Sequence, residues 1–253
     1  MQKDHPEIFL QTQSLTKDFG KLRAVNGVTL NIFKGDVHAI IGPNGAGKST
    51  YFNLITGYHS ASAGRVLFKG RDITRVPSYR RCNLGITRSF QITSIFPKLN
   101  VYESVLMALL AQRKVTTKFF ANAQKFFRED VWRILEDVGL ADQAQLMGDS
   151  ISHGDKKRLE LAITLGTEPQ LLLLDEPTCG MSPEETDTTM GLIHKLSSGR
   201  GITILFTEHD MGVVFGIAKR ISVLHQGTLI ADGTPQEVRN SGEVQKVYLG
   251  GVA

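Results

Sequence analysis

The chain has 253 residues, 41% hydrophobic and 21% charged, enough to bury a core, which excludes a disordered tail, a collagen-like repeat and a mini-protein. Lys and Arg outnumber Asp and Glu by 29 − 25 = +4, a solvated basic surface compatible with anionic ligands or a membrane face but specific to neither. Against a prior of roughly 150 residues per domain, the length suggests one large domain or one domain carrying a sizeable subdomain.

The opening segment MQKDHPEIFLQTQS lacks the basic and then apolar layout of a secretory signal. Further on, VTLNIF from Val28 and DVHAIIG from Asp36 read as strands, the first alternating and the second buried, with glycines at their ends. A helix is expected from about Lys48. RVLFKG and the turn at Asp72 read as a hairpin, and ITRSF as a short strand entering a loop at Gln91. From Val101 to Gly139 the pattern changes. Phe120, Ala123, Phe127, Val131, Ile134 and Val138 recur at the helical period, which marks a helical insertion. After Ser152 helices and strands alternate: a helix from about Gly154, strand QLLLLDE, a helix after Pro183, strand GITILFT, a helix after Asp210, then strands ISVLHQ and TLIAD. Such alternation indicates a parallel sheet covered on both faces. The tail from Pro235 to Leu249 reads as helical, with Gly250 and Gly251 ending it. No apolar run approaches the roughly 18 to 20 residues that span a bilayer, so a membrane role is expected to be peripheral. Cys82 and Cys179 form no CxxC and no His/Cys cluster, which argues against zinc or a disulfide framework and suits a reducing compartment.

The strongest local signal is GPNGAGKST, comprising Gly42, Pro43, Asn44, Gly45, Ala46, Gly47, Lys48, Ser49 and Thr50. It fits the phosphate-loop pattern directly after a predicted strand and before a predicted helix. Glycines let the backbone curl so that its N–H groups face phosphate oxygens, and the helix N-terminus adds positive potential. Lys48 can reach the outer phosphates, and the Ser49 hydroxyl can ligate Mg²⁺. A glycine-rich turn without a ligand is the alternative; a chance match in a chain this long is about 1 to 2%. The second signal is LLLLDE, which puts Asp175 and Glu176 at the C-terminal edge of a buried strand, where open α/β sheets bind ligands. Asp175 can hold Mg²⁺ directly or through water, and Glu176 can orient and deprotonate an attacking water. An acidic pair at a strand mouth is common, and the pair gains its meaning from the phosphate loop.

With ISHGDKKRLELA from Ile151, the chain resembles the ATPase subunits of ATP-binding cassette (ABC) transporters over essentially its whole length. Ser152 and Gly154 match the family's signature sequence, which touches the γ-phosphate of a nucleotide held by the opposite subunit; a Ser152 helix cap without a ligand is the alternative. The resemblance implies further roles. Gln91, in TRSFQ, corresponds to a residue that contacts Mg²⁺ or water and borders the helical subdomain. His209, in FTEHD, corresponds to the switch histidine at the γ-phosphate, and Phe19 to the aromatic that stacks on adenine. His153, Asp155 and Ser182 depart from the general pattern. Together with GMSPEE, FPKLNVYESV and VYLG, they resemble the branch that serves branched-chain amino acid importers and their relatives for urea, amides and aromatic acids.

The implied architecture is a single α/β phosphate-loop cassette over residues 1–253, with a mostly parallel core sheet, an N-terminal antiparallel β portion and a helical subdomain at about 92–168. The implied function is ATP hydrolysis, with ATP and Mg²⁺, at the cytoplasmic face of the inner membrane. Its partners would be permease subunits, a second ATPase subunit identical or related to this chain, and indirectly a solute-binding protein; no nucleic acid is expected. Ile95, Phe96 and Pro97 would border the groove that receives a permease helix. Other readings are an ABC exporter of lipid or polysaccharide, a soluble cassette of DNA repair or translation, and a small-molecule kinase. The soluble cassette would carry a long heptad insertion or a second cassette. The kinase would leave Ser152, Gly154 and His209 unexplained.

Overall fold

The computed structural model describes residues 7–89, 96, 98–114 and 126–249. Its centre is a six-stranded sheet in the order β10-β9-β3-β8-β7-β6, built from β3 (Val37–Ile41), β6 (Ile86–Arg88), β7 (Leu171–Asp175), β8 (Thr203–Thr207), β9 (Arg220–His225) and β10 (Thr228–Gly233). All neighbours are parallel except β9 and β10, which form an antiparallel hairpin. Its turn residues Gln226 and Gly227 both have positive φ, 49° and 77°, as the twist of a two-residue hairpin requires.

Strands β3, β7 and β8 are buried at every residue because alternate side chains enter two different cores. Leu172 and Leu174 of β7 join Ile204 and Phe206 of β8 in one core. Leu171 and Leu173 join Leu205 in the other. Period-2 alternation thus disappears from the sequence, and an unbroken apolar run remains.

The second core is closed by helix α1 (Lys48–Thr56) and by a four-stranded antiparallel sheet in the order β2-β1-β4-β5. That sheet comprises β1 (Ile8–Phe19), β2 (Leu22–Phe33), β4 (Ala63–Phe68) and β5 (Arg71–Asp72). A short helix, α2 (Ser78–Asn83), follows it. The first core is closed by α3 (Val101–Gln112), α4 (Arg128–Val138), α5 (His153–Gly166) and α6 (Pro183–Arg200). Helices α3 and α5 approach closely at Gly166, where an added Cβ would lie 2.9 Å from Ala108 Cβ. Arg113, at the end of α3, pairs with Asp130 of α4 and with Glu168 just after α5.

One sequence expectation is met where it is described, and one needs correction. The helical run holds from Arg128, with Phe127 at the N-cap, while Phe120 and Ala123 lie outside the described residues. The tail is two helices, α8 (Pro235–Arg239) and α9 (Gly242–Leu249), preceded in the chain by α7 (Met211–Ile217). The break falls at Asn240–Ser241, where the Ser241 hydroxyl accepts from Val244 N at 3.5 Å. Serine favours such a helix start over a helix interior.

Candidate active site

The phosphate loop leaves β3 at Gly42 and enters α1 at Lys48. Only glycine fits two of its positions. At Gly42 (φ 154°) a Cβ would stand 2.1 Å from the Leu224 carbonyl, and at Gly47 (φ 98°) 2.4 Å from the Ala24 carbonyl. The loop is therefore pressed against β9 and β2 by backbone approach. Helix α1 starts with no side-chain cap and no acidic residue in its first turn, unlike α3, α5 and α6, which are capped by Asn100, Ser152 and Ser182. An uncapped N-terminus presents free N–H groups and positive potential.

Lys48 is buried and folds back on its loop, donating to the Gly42 and Pro43 carbonyls at 2.6 and 3.2 Å. Burial lowers its pKa, and the nearby carboxylates of Glu176 and Asp175 partly oppose the shift. A cavity of about 490 Å³ opens above the loop, walled by residues 44–50, by Leu22 and Arg23 of β2, and by Glu176 and His209. The predicted loop residues thus meet two of the three predicted catalytic residues in one space.

Asp175 ends β7 and is held on both oxygens. Thr207 donates to Oδ1 at 2.6 Å, and Arg88 of β6 pairs with Oδ2. Arg88 also donates to Asn53 of α1 at 2.5 Å. Glu176, next in chain, has φ 47°, a left-handed conformation uncommon outside glycine. Its N–H donates to the Thr207 carbonyl at 3.0 Å. The turn directs its carboxylate to His209, whose Nε2 lies 3.0 Å from Oε1.

The signature serine caps α5. Its hydroxyl accepts from Asp155 N at 3.1 Å and donates to Asp155 Oδ2 at 2.8 Å. Gly154 is buried against the first turn of α6, and a Cβ there would meet Glu185 Oε1 at 2.3 Å. Glu185 in turn forms a capping box with Ser182. The departures at Asp155 and Ser182 therefore have local work: one completes the Ser152 cap, the other caps α6. Neither Ser152 nor Gly154 lines this chain's own phosphate-loop cavity.

Phe19 stands beside the cavity at the β1–β2 turn, paired with Leu22. It is 43% exposed. Lys17 Nζ lies 4.9 Å from its ring centroid, and the His59 ring meets it edge-on at 5.3 Å. Gln91, Ile95 and Pro97 lie outside the described residues; Phe96 is exposed. Sequence reasoning missed Arg88 and Glu208. Arg88 lies three residues before Gln91 and Glu208 next to His209, but their importance rests on partners distant in sequence.

The oxygen donors Ser49 and Asp175 suit Mg²⁺, which ordinarily keeps water and substrate phosphate in its remaining positions. Among the described residues no group of three or more His, Cys, Asp and Glu could hold a metal on protein ligands alone.

Residues 25–179 match the ABC transporter family, and residues 228–253 match the family of branched-chain amino acid ATP-binding cassette transporters. The chain therefore belongs to the ABC transporter family as one of its ATP-hydrolysing cassettes. It is 37% identical, over 95% of its length and 97% of the relative's, to the high-affinity branched-chain amino acid transport ATP-binding protein LivG of Escherichia coli (strain K12). The lipopolysaccharide export system ATP-binding protein LptB of Haemophilus influenzae is 33% identical over 95% of this chain and 97% of its own. Among solved structures, the ADP conformation of MJ1267, an ATP-binding cassette of an ABC transporter, superposes with a TM-score of 0.82 at 31% identity, covering 96% of this chain and 99% of that one.

Proposed function

We propose that this cassette energises an importer of branched-chain amino acids, docked on permease subunits at the cytoplasmic face of the inner membrane and served by a solute-binding protein. The observation that carries the catalytic part is the single cavity walled by the phosphate loop, Glu176 and His209. The cargo rests on the likeness to LivG over nearly the full length of both chains and on the C-terminal family match. Among the described residues no helix is long and apolar enough to cross a membrane, which supports peripheral attachment. On this proposal the chain is one cassette with a helical subdomain at about 92–168.

Residues 42–50 cradle the triphosphate, Lys48 exchanging its two carbonyls for phosphate oxygens. Phe19 carries adenine on its exposed side. Ser49, Asp175 and Gln91 hold Mg²⁺, which screens phosphate charge when bound. Glu176 takes the proton of the attacking water, and His209, already hydrogen-bonded to that carboxylate, orients it at the γ-phosphate. Ser152 and Gly154 serve the site of a second ATPase subunit, a reading supported by their position outside this chain's own cavity.

Reconstitution of the transporter in vesicles tests the reading. Glu176→Gln should keep ATP binding, lower turnover by about 10²- to 10⁴-fold and stop ATP-driven uptake of radiolabelled leucine. Undiminished turnover would remove Glu176 as the base. Hydrolysis without leucine, isoleucine or valine uptake in the unsubstituted transporter would assign another cargo.

A further inference from the structure

Glu208, between Thr207 and His209, is a carboxylate buried to 4% exposure. It faces two backbone N–H groups and one hydroxyl. One oxygen accepts from Thr178 N at 3.0 Å and from the Thr178 hydroxyl; the other accepts from His209 N at 2.9 Å. Thr178 lies two residues beyond Glu176, in the turn closed by Cys179 N to Glu176 O at 3.1 Å.

Three ties therefore join the segments that follow β7 and β8. Glu176 N donates to the Thr207 carbonyl, Glu208 grips Thr178, and His209 meets the Glu176 carboxylate. The first two are fixed within the fold. The third joins two side chains that face the cavity and must be free to engage water and phosphate.

We infer that Glu208 is a positioning residue that sets the spacing between Glu176 and His209 by clamping the Thr178 turn to the backbone of the histidine. The inference rests on the roles proposed above for those two residues. The chemistry requires a carboxylate. Three donors converge on two oxygens, and a carboxamide at the same place would turn a donor toward at least one of them. Aspartate, shorter by one methylene, would not span from the His209 backbone to Thr178. Because Glu208 does not itself line the phosphate-loop cavity and meets its wall only through the His209 backbone, its loss should disturb the chemical step and leave nucleotide binding intact. A displacement near 1 Å at a reacting group costs on the order of 10²-fold in rate.

The test measures steady-state ATP turnover of the full chain with its permease, and affinity for a fluorescent ATP analogue. Glu208→Gln should lower kcat by about 10- to 100-fold while KM and analogue affinity stay within about twofold. Thr178→Val, which removes the hydroxyl donor and leaves only the backbone N–H on that oxygen, should show the same split in milder form, and Thr178→Ser should restore turnover because it keeps the hydroxyl as well. Glu208→Gln combined with Thr178→Val should cost no more than the worse single change, as two ends of one contact do. Should Glu208→Gln fail to fold, Thr178→Val against Thr178→Ser decides alone. Turnover within about twofold of the unsubstituted protein, or parallel loss of affinity and turnover, would overturn the inference. A normal rate for Glu176→Gln would instead overturn the proposed catalytic roles.

Discussion

Arg81 allows the sharpest test of how the phosphate-loop helix is anchored. The residue is 2% exposed, and its guanidinium makes four hydrogen bonds, all to backbone carbonyls. Nε reaches Val76 at 2.8 Å, Nη1 reaches Leu54 and Ile55 at 2.7 and 2.6 Å, and Nη2 reaches Thr74 at 2.9 Å. Leu54 and Ile55 lie in the last turn of α1, so one side chain fastens the far end of the helix that begins at Lys48 to the strand-to-helix connection before α2. Burial lowers its pKa to about 10, still well above neutrality, so the cation persists. Replacement by Met keeps an apolar stem and removes all four donors. At about 1 kcal/mol for each hydrogen bond lost, the gross loss is about 4 kcal/mol. Relief from burying an unpaired cation offsets part of it, and a net destabilisation of about 2 to 4 kcal/mol follows. At about 2 to 4 °C per kcal/mol for a chain of this size, the midpoint should fall by about 4 to 16 °C. Urea and thermal unfolding followed by circular dichroism would measure it. Arg81→Lys should recover little, since an ammonium cannot reach carbonyls on both sides of a planar fork. A loss below about 1 kcal/mol for Arg81→Met would mean that the carbonyls find other partners and that Arg81 does not anchor α1.

His38 and Phe19 allow two further tests. His38, buried between β8 and β9, donates through Nε2 to Ser222 at 2.7 Å beside Asp232 and Arg220, and burial holds its pKa down to about 4 from 6.5. The unfolded chain then binds the extra proton between these values. Stability should therefore be full above about pH 6.5 and decline toward pH 4, by up to about 3 kcal/mol; His38→Gln should flatten this slope in urea titrations, and an unchanged slope would assign the acid sensitivity elsewhere. Phe19→Ala should weaken ATP and GTP binding alike by about 1 to 3 kcal/mol through lost stacking, and equilibrium binding that stays unchanged would return Phe19 to an aromatic cluster with His59.

What the sequence revealed divides along a physical line. GPNGAGKST was legible because its glycines answer local backbone demands, seen at Gly42 and Gly47. The acidic edge was legible because a strand buried on both faces leaves an unbroken apolar run. Strand β1 went unread: its inward Leu10, Thr12 and Leu15 are broken in phase by register shifts between Thr12 and Leu15, and a bulge erases the period on which the reading depends. Arg81 was equally invisible. Its neighbour Arg80 is exposed, and no local rule separates the two, because the carbonyls that select Arg81 come from another helix and turn. Glu208 was read past for the same reason, in the very segment that identified His209.

The charged groups of the site are already paired within the chain, and this shapes what nucleotide binding must supply. Lys48 rests on two loop carbonyls, Asp175 on Arg88 and Thr207, and Glu176 on His209. On the proposed reading, the pairings of Lys48 and Asp175 would be exchanged as phosphate and cation enter, so these side chains would contribute only the difference between old and new partners. The start of α1 is different. Three other helices satisfy their first N–H groups with their own serine or asparagine, whereas α1 begins at an uncapped glycine that opens on the cavity. An anion arriving there displaces no cap and meets the positive end of the helix. The net attraction for the triphosphate therefore resides chiefly in the loop backbone. Under the proposed roles, Lys48 would then act more through the charge it brings to the transferring phosphoryl group than through ground-state affinity, beside the proposed base Glu176 on the side of the chemical step.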